Sequence, residues 1–408
     1  EMEVEKVYDM MPYLLHPQSY ASRSVALNMA ALEAGDNLFA DERYRDALWI
    51  YRIIYPHDTI IMNATLHRER LERKAERLRK VPGQIRRLIL TQEEIGQIEQ
   101  ELKALETIDN YDSELAYRIA RAYQETRRYR ESRDLYHHLF DTDIPNRAEE
   151  CLYLAFFSAA QVQPWQQAVA MGKEYMTVYP GGDYYDTVSL TVGQLYANQQ
   201  SWPDVIQTLT NALDVSPRHA DIVECQFLIG YASFMEEQFT NAVTWLTRMN
   251  RDYPANDREA DGTYWTGMAY LFDRHYEEAL PCFDHILLAF PLCPYREDAA
   301  FRSATCDYGL SQFDRAETKL TTFLEEYPRS KLASEAHLLL GDIAAAQGRL
   351  QLAVREYQLV PEGDIHIEHY NFAAFRCGEI LAELKDYDGL IAHFDSYLDR
   401  NREGSNFP

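Results

Sequence analysis

Residues 223–259 contain two apolar stretches of different character. The first, 223–235, is apolar nearly all round, with Phe227, Leu228, Ile229, Tyr231 and Phe234 covering more than one face. That breadth suits a helix held between neighbours on both sides. The second, 239–250, places Ala242, Leu246 and Met249 at i, i+4 and i+7, a single buried stripe on an otherwise polar helix. Glu236, Glu237 and Gln238 make the turn between them. Tyr253-Pro254 ends the second helix, because proline disfavours helical geometry in the residue before it. The pattern predicts a helical hairpin.

The same hairpin recurs every 37 residues. Ala168, Val205, Ala242, Ala279, Ala316, Ala353 and Leu390 form one column, and three residues before each stands a bulky apolar side chain: Trp165, Trp202, Phe239, Tyr276, Phe313, Leu350 and Tyr387. Prolines follow at 180, 217, 254, 291 and 328, and small residues precede at 193, 230, 267, 304, 341 and 378. Glycine inside a helix costs about 1 kcal/mol relative to alanine, so its return at one phase implies a packing requirement. We expect Gly230 and Ala242, on opposite helices, to let the two backbones approach. Weaker pairs (Gly35 with Ala47, Ala120 with Ser132, Phe156 with Ala168) extend the register to nine repeats. Repeats of this period stack into a solenoid, so the expected fold is an all-α, right-handed superhelical solenoid of about nine hairpins.

The register breaks once. Residues 67–87 hold nine Lys/Arg against three Glu, with Leu71, Leu78 and Ile85 seven apart. Residues 93–114 are acidic, with Ile95, Ile98, Leu102 and Leu105 at 3/4/3 spacing. Val81-Pro82-Gly83 separates them. This predicts an inserted helical hairpin or short coiled coil whose basic arm pairs with its acidic arm. The expected organisation is therefore an N-terminal segment and first repeat (1–56), the insertion (57–112), and eight further repeats with a C-terminal cap (113–408).

A small residue in the first helix, another twelve residues on in the second, and a proline twelve further (Gly230, Ala242, Pro254; Gly267, Ala279, Pro291) resemble the tetratricopeptide repeat. The usual tryptophan of the first helix is absent, and the unit is 37 residues rather than 34. The stretch from Phe323 through Tyr327-Pro328 and Leu340-Gly341-Asp342 to Tyr357 is similar in style to bacterial cell-envelope repeat proteins, namely the outer-membrane assembly lipoprotein and the Tol-Pal coordinating protein. This chain lacks the lipid-anchor cysteine of the first, and its coil follows repeat one rather than preceding the repeats. The resemblance implies a non-enzymatic assembly scaffold in the periplasm or at the envelope; the alternative is a cytoplasmic adaptor of the same architecture. No signal-peptide pattern opens the chain, and what precedes Glu1 would discriminate between the two.

The chemistry is sparse. Charge is uneven: residues 1–133 carry 21 Lys+Arg against 23 Asp+Glu, and residues 134–408 carry 19 against 42, a net of −23. Such a field disfavours nucleic acid as a partner. No apolar run reaches transmembrane length. Six cysteines show no metal-ligand spacing. His137-His138 and the group His366, Glu368 and His369 lack a clear third ligand, so neither a metal nor a cofactor is expected. No phosphate loop, nucleophile elbow or paired general acid and base stands out.

What remains is a surface. The resemblance places a concave groove on the outward positions of the first helices, here Glu224, Phe227, Tyr231, Phe234, Asp261, Tyr264, Met268, Phe272, Asp298, Phe301 and Tyr308. Aromatics mixed with acids suit a protein or peptide partner with basic and apolar side chains, although some of these rings are expected in the core. Asn198 is nearly the only residue matching a carboxylate clamp, so a chaperone-tail binder is not expected.

Overall fold

The computed structural model describes residues 24–360 and 367–403, apart from 109, 143 and 145. Residues 1–23, His366 and the last five residues lie outside them. Twenty helices, and no strand, occur among the described residues. They divide between two compact units, Glu1–Leu195 and Tyr196–Pro408.

In the first unit, α1 (Val25–Ala40) and α2 (Tyr44–Ile53) form repeat one. The insertion is α3 (His57–Arg79) and α4 (Ile85–Glu106). Two more repeats follow as α5 (Tyr111–Glu125) with α6 (Tyr129–Asp141) and α7 (Ala148–Ala160) with α8 (Trp165–Val178). Helix α9 (Tyr185–Asn198) reaches the boundary. The second unit runs α10 (Trp202–Val215), α11 (Ile222–Met235), α12 (Phe239–Asp252), α13 (Glu259–Phe272), α14 (Tyr276–Ala289), α15 (Arg296–Gly309), α16 (Phe313–Glu326), α17 (Ala333–Ala346), α18 (Leu350–Gln358), α19 (Ile367–Glu383) and α20 (Tyr387–Glu403). The bulky column of the sequence is the first residue of every second helix from α8 to α20.

The turn before those helices has its own column. Gln200, Glu237, Arg274, Ser311, Gly348 and Lys385 all have φ between 57° and 73°. The residue after each donates its N–H five residues back, as Gln238 does to the Ser233 carbonyl at 2.8 Å. That bond satisfies a carbonyl left open at the helix end. Only Gly348 is a glycine here, so the turn was not visible from composition.

The small-residue column works differently from the expectation. A Cβ added to Gly341 would lie 2.5 Å from the Tyr357 ring, and one added to Gly230 would lie 2.6 Å from Leu246. In both cases the occupant stands sixteen residues on, in the second helix, rather than at the small residue twelve on. Glycine makes room for a large side chain to seat against the first helix. Gly341→Leu is therefore expected to destabilise by about 3 kcal/mol, the upper end for overpacking, because Tyr357 is also held by its hydroxyl, which donates to Asp342 at 2.5 Å. An unchanged urea-unfolding midpoint would show slack that the geometry denies.

The insertion leaves and rejoins the repeats at one point, where the His57 N–H donates to Asp112 Oδ1 at 2.8 Å. Helix α2 still packs on α5 across it. Ile60, Ala64, Leu71, Ile98, Leu102 and Leu105 belong to one core cluster with Val25, Leu38, Tyr51 and Leu115 of the flanking repeats. Among the described residues, pairing between a basic and an acidic arm is nearly absent. His67–Glu94 at 3.6 Å links the arms, while Arg68–Glu72 and Arg73–Glu69 lie along α3 itself. Ile85, expected in the seven-residue stripe, is 71% exposed, because the turn at 80–84 interrupts the helix and resets its phase.

Candidate protein-binding faces

In the second unit the expected groove residues separate into three groups. Phe227, Tyr264, Met268 and Phe301 are buried. Phe301 packs 5.7 Å from Phe323, centroid to centroid, and belongs to the core between α15 and α16. These four are corrected from groove to core: at this spacing a first helix is covered on two sides, and residues that look outward on a helical wheel are overlaid by the next hairpin.

The acids form the second group, and the chain itself already engages them. Arg258 donates to both carboxylate oxygens of Glu224, at 2.8 and 3.0 Å, and to Asp261 at 2.8 Å, while its guanidinium lies over the Phe227 ring. Those hydrogen bonds hold Arg258 more firmly protonated than usual. Asp298 accepts from the Tyr264 hydroxyl at 2.7 Å and from Arg302 at 3.3 Å. Burial first, then the Asp298 charge, pushes the Tyr264 phenol well above its ordinary range. These groove acids are occupied.

The third group remains available. Tyr231, Phe234 and Tyr308 are half-buried, and Phe272 is 59% exposed. Around them stand three rings that the groove positions omit: Trp202, Phe239 and Trp265. Tyr231 lies 5.6 Å from Trp202 and 4.8 Å from Trp265; Phe234 lies 5.0 Å from Trp265 and 5.6 Å from Phe272; Phe239 stacks on Phe272 at 6.1 Å. Six rings, Trp202, Tyr231, Phe234, Phe239, Trp265 and Phe272, thus form one continuous, partly exposed surface, flanked by the exposed Met235, while Tyr308 stands apart against Phe313. Trp202 and Phe239 were legible as repeat markers, but their second use, at the mouth of the face, was not.

The first unit holds a site the sequence reading missed. A cavity of about 420 Å³ is lined by Asp36, Phe39, Tyr51, Glu114, Tyr117, Arg118, Arg121, Arg147 and Glu150. Arg118 donates to Asp36 at 2.9 Å and to Glu114 at 3.2 Å; Arg147 lies over Tyr117 and reaches Glu114 at 3.4 Å. Arg121 sits over the Phe39 ring, 4.6 Å from its centroid. Several of these are the same outward first-helix positions, carried to repeats one to three, where the weaker columns hid them.

Among the described residues no group of three or more His, Cys, Asp or Glu is placed to hold a metal ion. The cysteines are free, and burial pushes the thiols of Cys151 and Cys306 up to about 12, far from the thiolate form. No helix among the described residues is long and apolar enough to cross a membrane.

Paired helices, a 37-residue period and large side chains seated on the recurring glycines place this chain in the class of tetratricopeptide-like helical-repeat proteins. Residues 301–364 match the family model of the tetratricopeptide repeat. No curated protein sequence matches the chain. Among solved structures it is similar to MamA from Desulfovibrio magneticus RS-1, at 18% identity over 44% of this chain and 94% of that one, TM-score 0.38. A tetratricopeptide repeat protein from Parabacteroides merdae ATCC 43184 aligns at 12% identity over 64% of this chain and 98% of that one, TM-score 0.38. A structure of Naa15/Naa10 bound to HypK-THB aligns at 14% identity over 72% of this chain and 43% of that one, TM-score 0.47. None of these likenesses bears on what this chain binds.

Proposed function

We propose that the chain is a non-enzymatic scaffold that binds a partner protein through an extended or helical segment laid on the second unit's aromatic face. The observation that carries this reading is the run of rings from Trp202 to Phe272, which leaves Phe272 and Met235 substantially exposed. Large, rigid side chains of this kind dominate binding energies. The net charge of −23 over residues 134–408 supports a basic partner. Because Glu224, Asp261 and Asp298 are engaged internally, that charge acts as a field that speeds encounter rather than as a set of contacts. An envelope-assembly role rests on the likeness of 323–357 to the cell-envelope repeat proteins.

A displayed peptide library selected on the immobilised chain tests this. The selected peptides should carry apolar anchors with Lys or Arg, and should cross-link to the α11–α13 face. Phe272→Ala with Met235→Ala should weaken them roughly 30-fold, the effect of losing an interface hot spot of about 2 kcal/mol. Acidic peptides, or full binding by the folded double variant, would rule the reading out.

A further inference from the structure

The insertion ends in a tip that the scaffold reading leaves unexplained. Residues 77–92 contain five cations (Arg77, Arg79, Lys80, Arg86 and Arg87) and no acid, in a chain whose net charge is −25. All five are exposed, and none forms an ion pair among the described residues. Beside them Val81, Ile85, Ile89 and Leu90 are each at least half exposed. Ile85 and Ile89 are one turn apart on α4, whose opposite face buries Thr91 and Ile98 in the seam with α3. The aliphatic side chains therefore point away from the hairpin, with Arg86 next to them.

We propose that this tip docks on an anionic lipid bilayer surface, the cations meeting headgroup phosphates and Ile85, Ile89 and Val81 entering the headgroup–acyl boundary. Cations interleaved with exposed aliphatics are the composition that such an interface selects. A protein partner of useful affinity needs about 800 Å² of complementary surface per side and favours Trp and Tyr anchors. The tip is the convex end of two helices and carries no aromatic residue. A bilayer demands no shape match.

The acidity of the rest of the chain does not prevent this. The outermost α3 residue in the core shared with the repeats is Leu71. Nine residues of helix separate it from Lys80, about 13 Å at 1.5 Å per residue. Screening at physiological ionic strength acts over about 8 Å. Charge on the first unit's own repeats is therefore largely screened at the tip.

The test uses the full chain with vesicles of phosphatidylcholine alone and of phosphatidylcholine mixed with phosphatidylglycerol. Sedimentation should show binding to the mixed vesicles only, weakening as salt rises. Arg86→Gln with Arg87→Gln should lower the partition coefficient roughly 30-fold, the effect of two cations at an anionic surface, and Ile85→Ser with Ile89→Ser should lower it at least tenfold. These side chains are exposed, so thermal melts should match the parent. An Ile85→Trp probe should shift its emission to the blue on mixed vesicles. Equal binding to both vesicle types, retention of binding by both double variants, or an Ile85→Trp probe that stays in water would overturn the proposal. So would tip-dependent self-association or capture of an acidic protein without vesicle binding, and either would reassign the tip to a protein contact.

Discussion

Lys319→Met is expected to destabilise the second unit by about 3–5 kcal/mol, the cost of leaving a buried charge without its partner. Asp307 on α15 is fully buried, at 0% exposure. Lys319 on α16 lies 2.8 Å from it, and the same ammonium reaches Asp284 of α14 at 3.2 Å and the Ser303 hydroxyl at 2.6 Å. One lysine thus ties three consecutive helices together, through hydrogen bonds to Asp284 and Ser303 and an ion pair with Asp307. Arg315, 3.5 Å from Asp307 and mostly in solvent, replaces only part of that. The double variant Lys319→Met with Asp307→Leu removes both charges and should recover most of the loss, since a buried pair replaced by apolar side chains is often neutral. Urea unfolding monitored by circular dichroism reads both. A single variant as stable as the parent would show that water reaches Asp307 in solution.

Tyr264→Ala and Phe272→Ala should behave as opposites, although both stand at outward first-helix positions in one repeat. Tyr264 is 7% exposed, stacks on Tyr295 at 4.2 Å and anchors its hydroxyl on Asp298. Its truncation should cost about 3–5 kcal/mol of stability, as for other buried aromatics, so any loss of binding would be secondary to unfolding. Phe272→Ala should change stability by no more than about 0.5 kcal/mol, the usual range for a surface site, and should act on binding alone. The pair of melting curves separates core from face directly. If Tyr264→Ala melts with the parent, the division of the groove residues drawn from burial is wrong.

Much of the architecture was legible because it rests on local rules applied repeatedly. A broad apolar first helix, a striped second helix and a proline stop specify a hairpin at each pass, and the common period specifies stacking. The bulky column, read only as a marker, proved to be the first residue of each second helix. The candidate site was legible only in outline. Of the positions derived from the repeat pattern, Tyr231, Phe234, Phe272 and Tyr308 stay at least partly exposed, while four are core residues and three are acids already engaged by Tyr264, Arg258 and Arg302.

The physical reason for that division is the range of the forces involved. Helix periodicity, the proline stops and the all-α hairpin plan depend on residues a few positions apart within one helix or at its end, and the amino-acid order determined them by itself. Three things were decided only in three dimensions. Which member of a first helix is covered depends on the next hairpin, so Phe301 is core while Phe272 is surface. Whether an acid is free depends on a cation some thirty residues away, as with Glu224 and Arg258. And Gly35, Gly230, Gly267 and Gly341 are each matched to a ring or leucine sixteen positions on, not to the small residue twelve on, while in repeat three the sense is reversed and Phe156 seats on Gly172, because a helix pair closes by seating one side chain rather than by removing two.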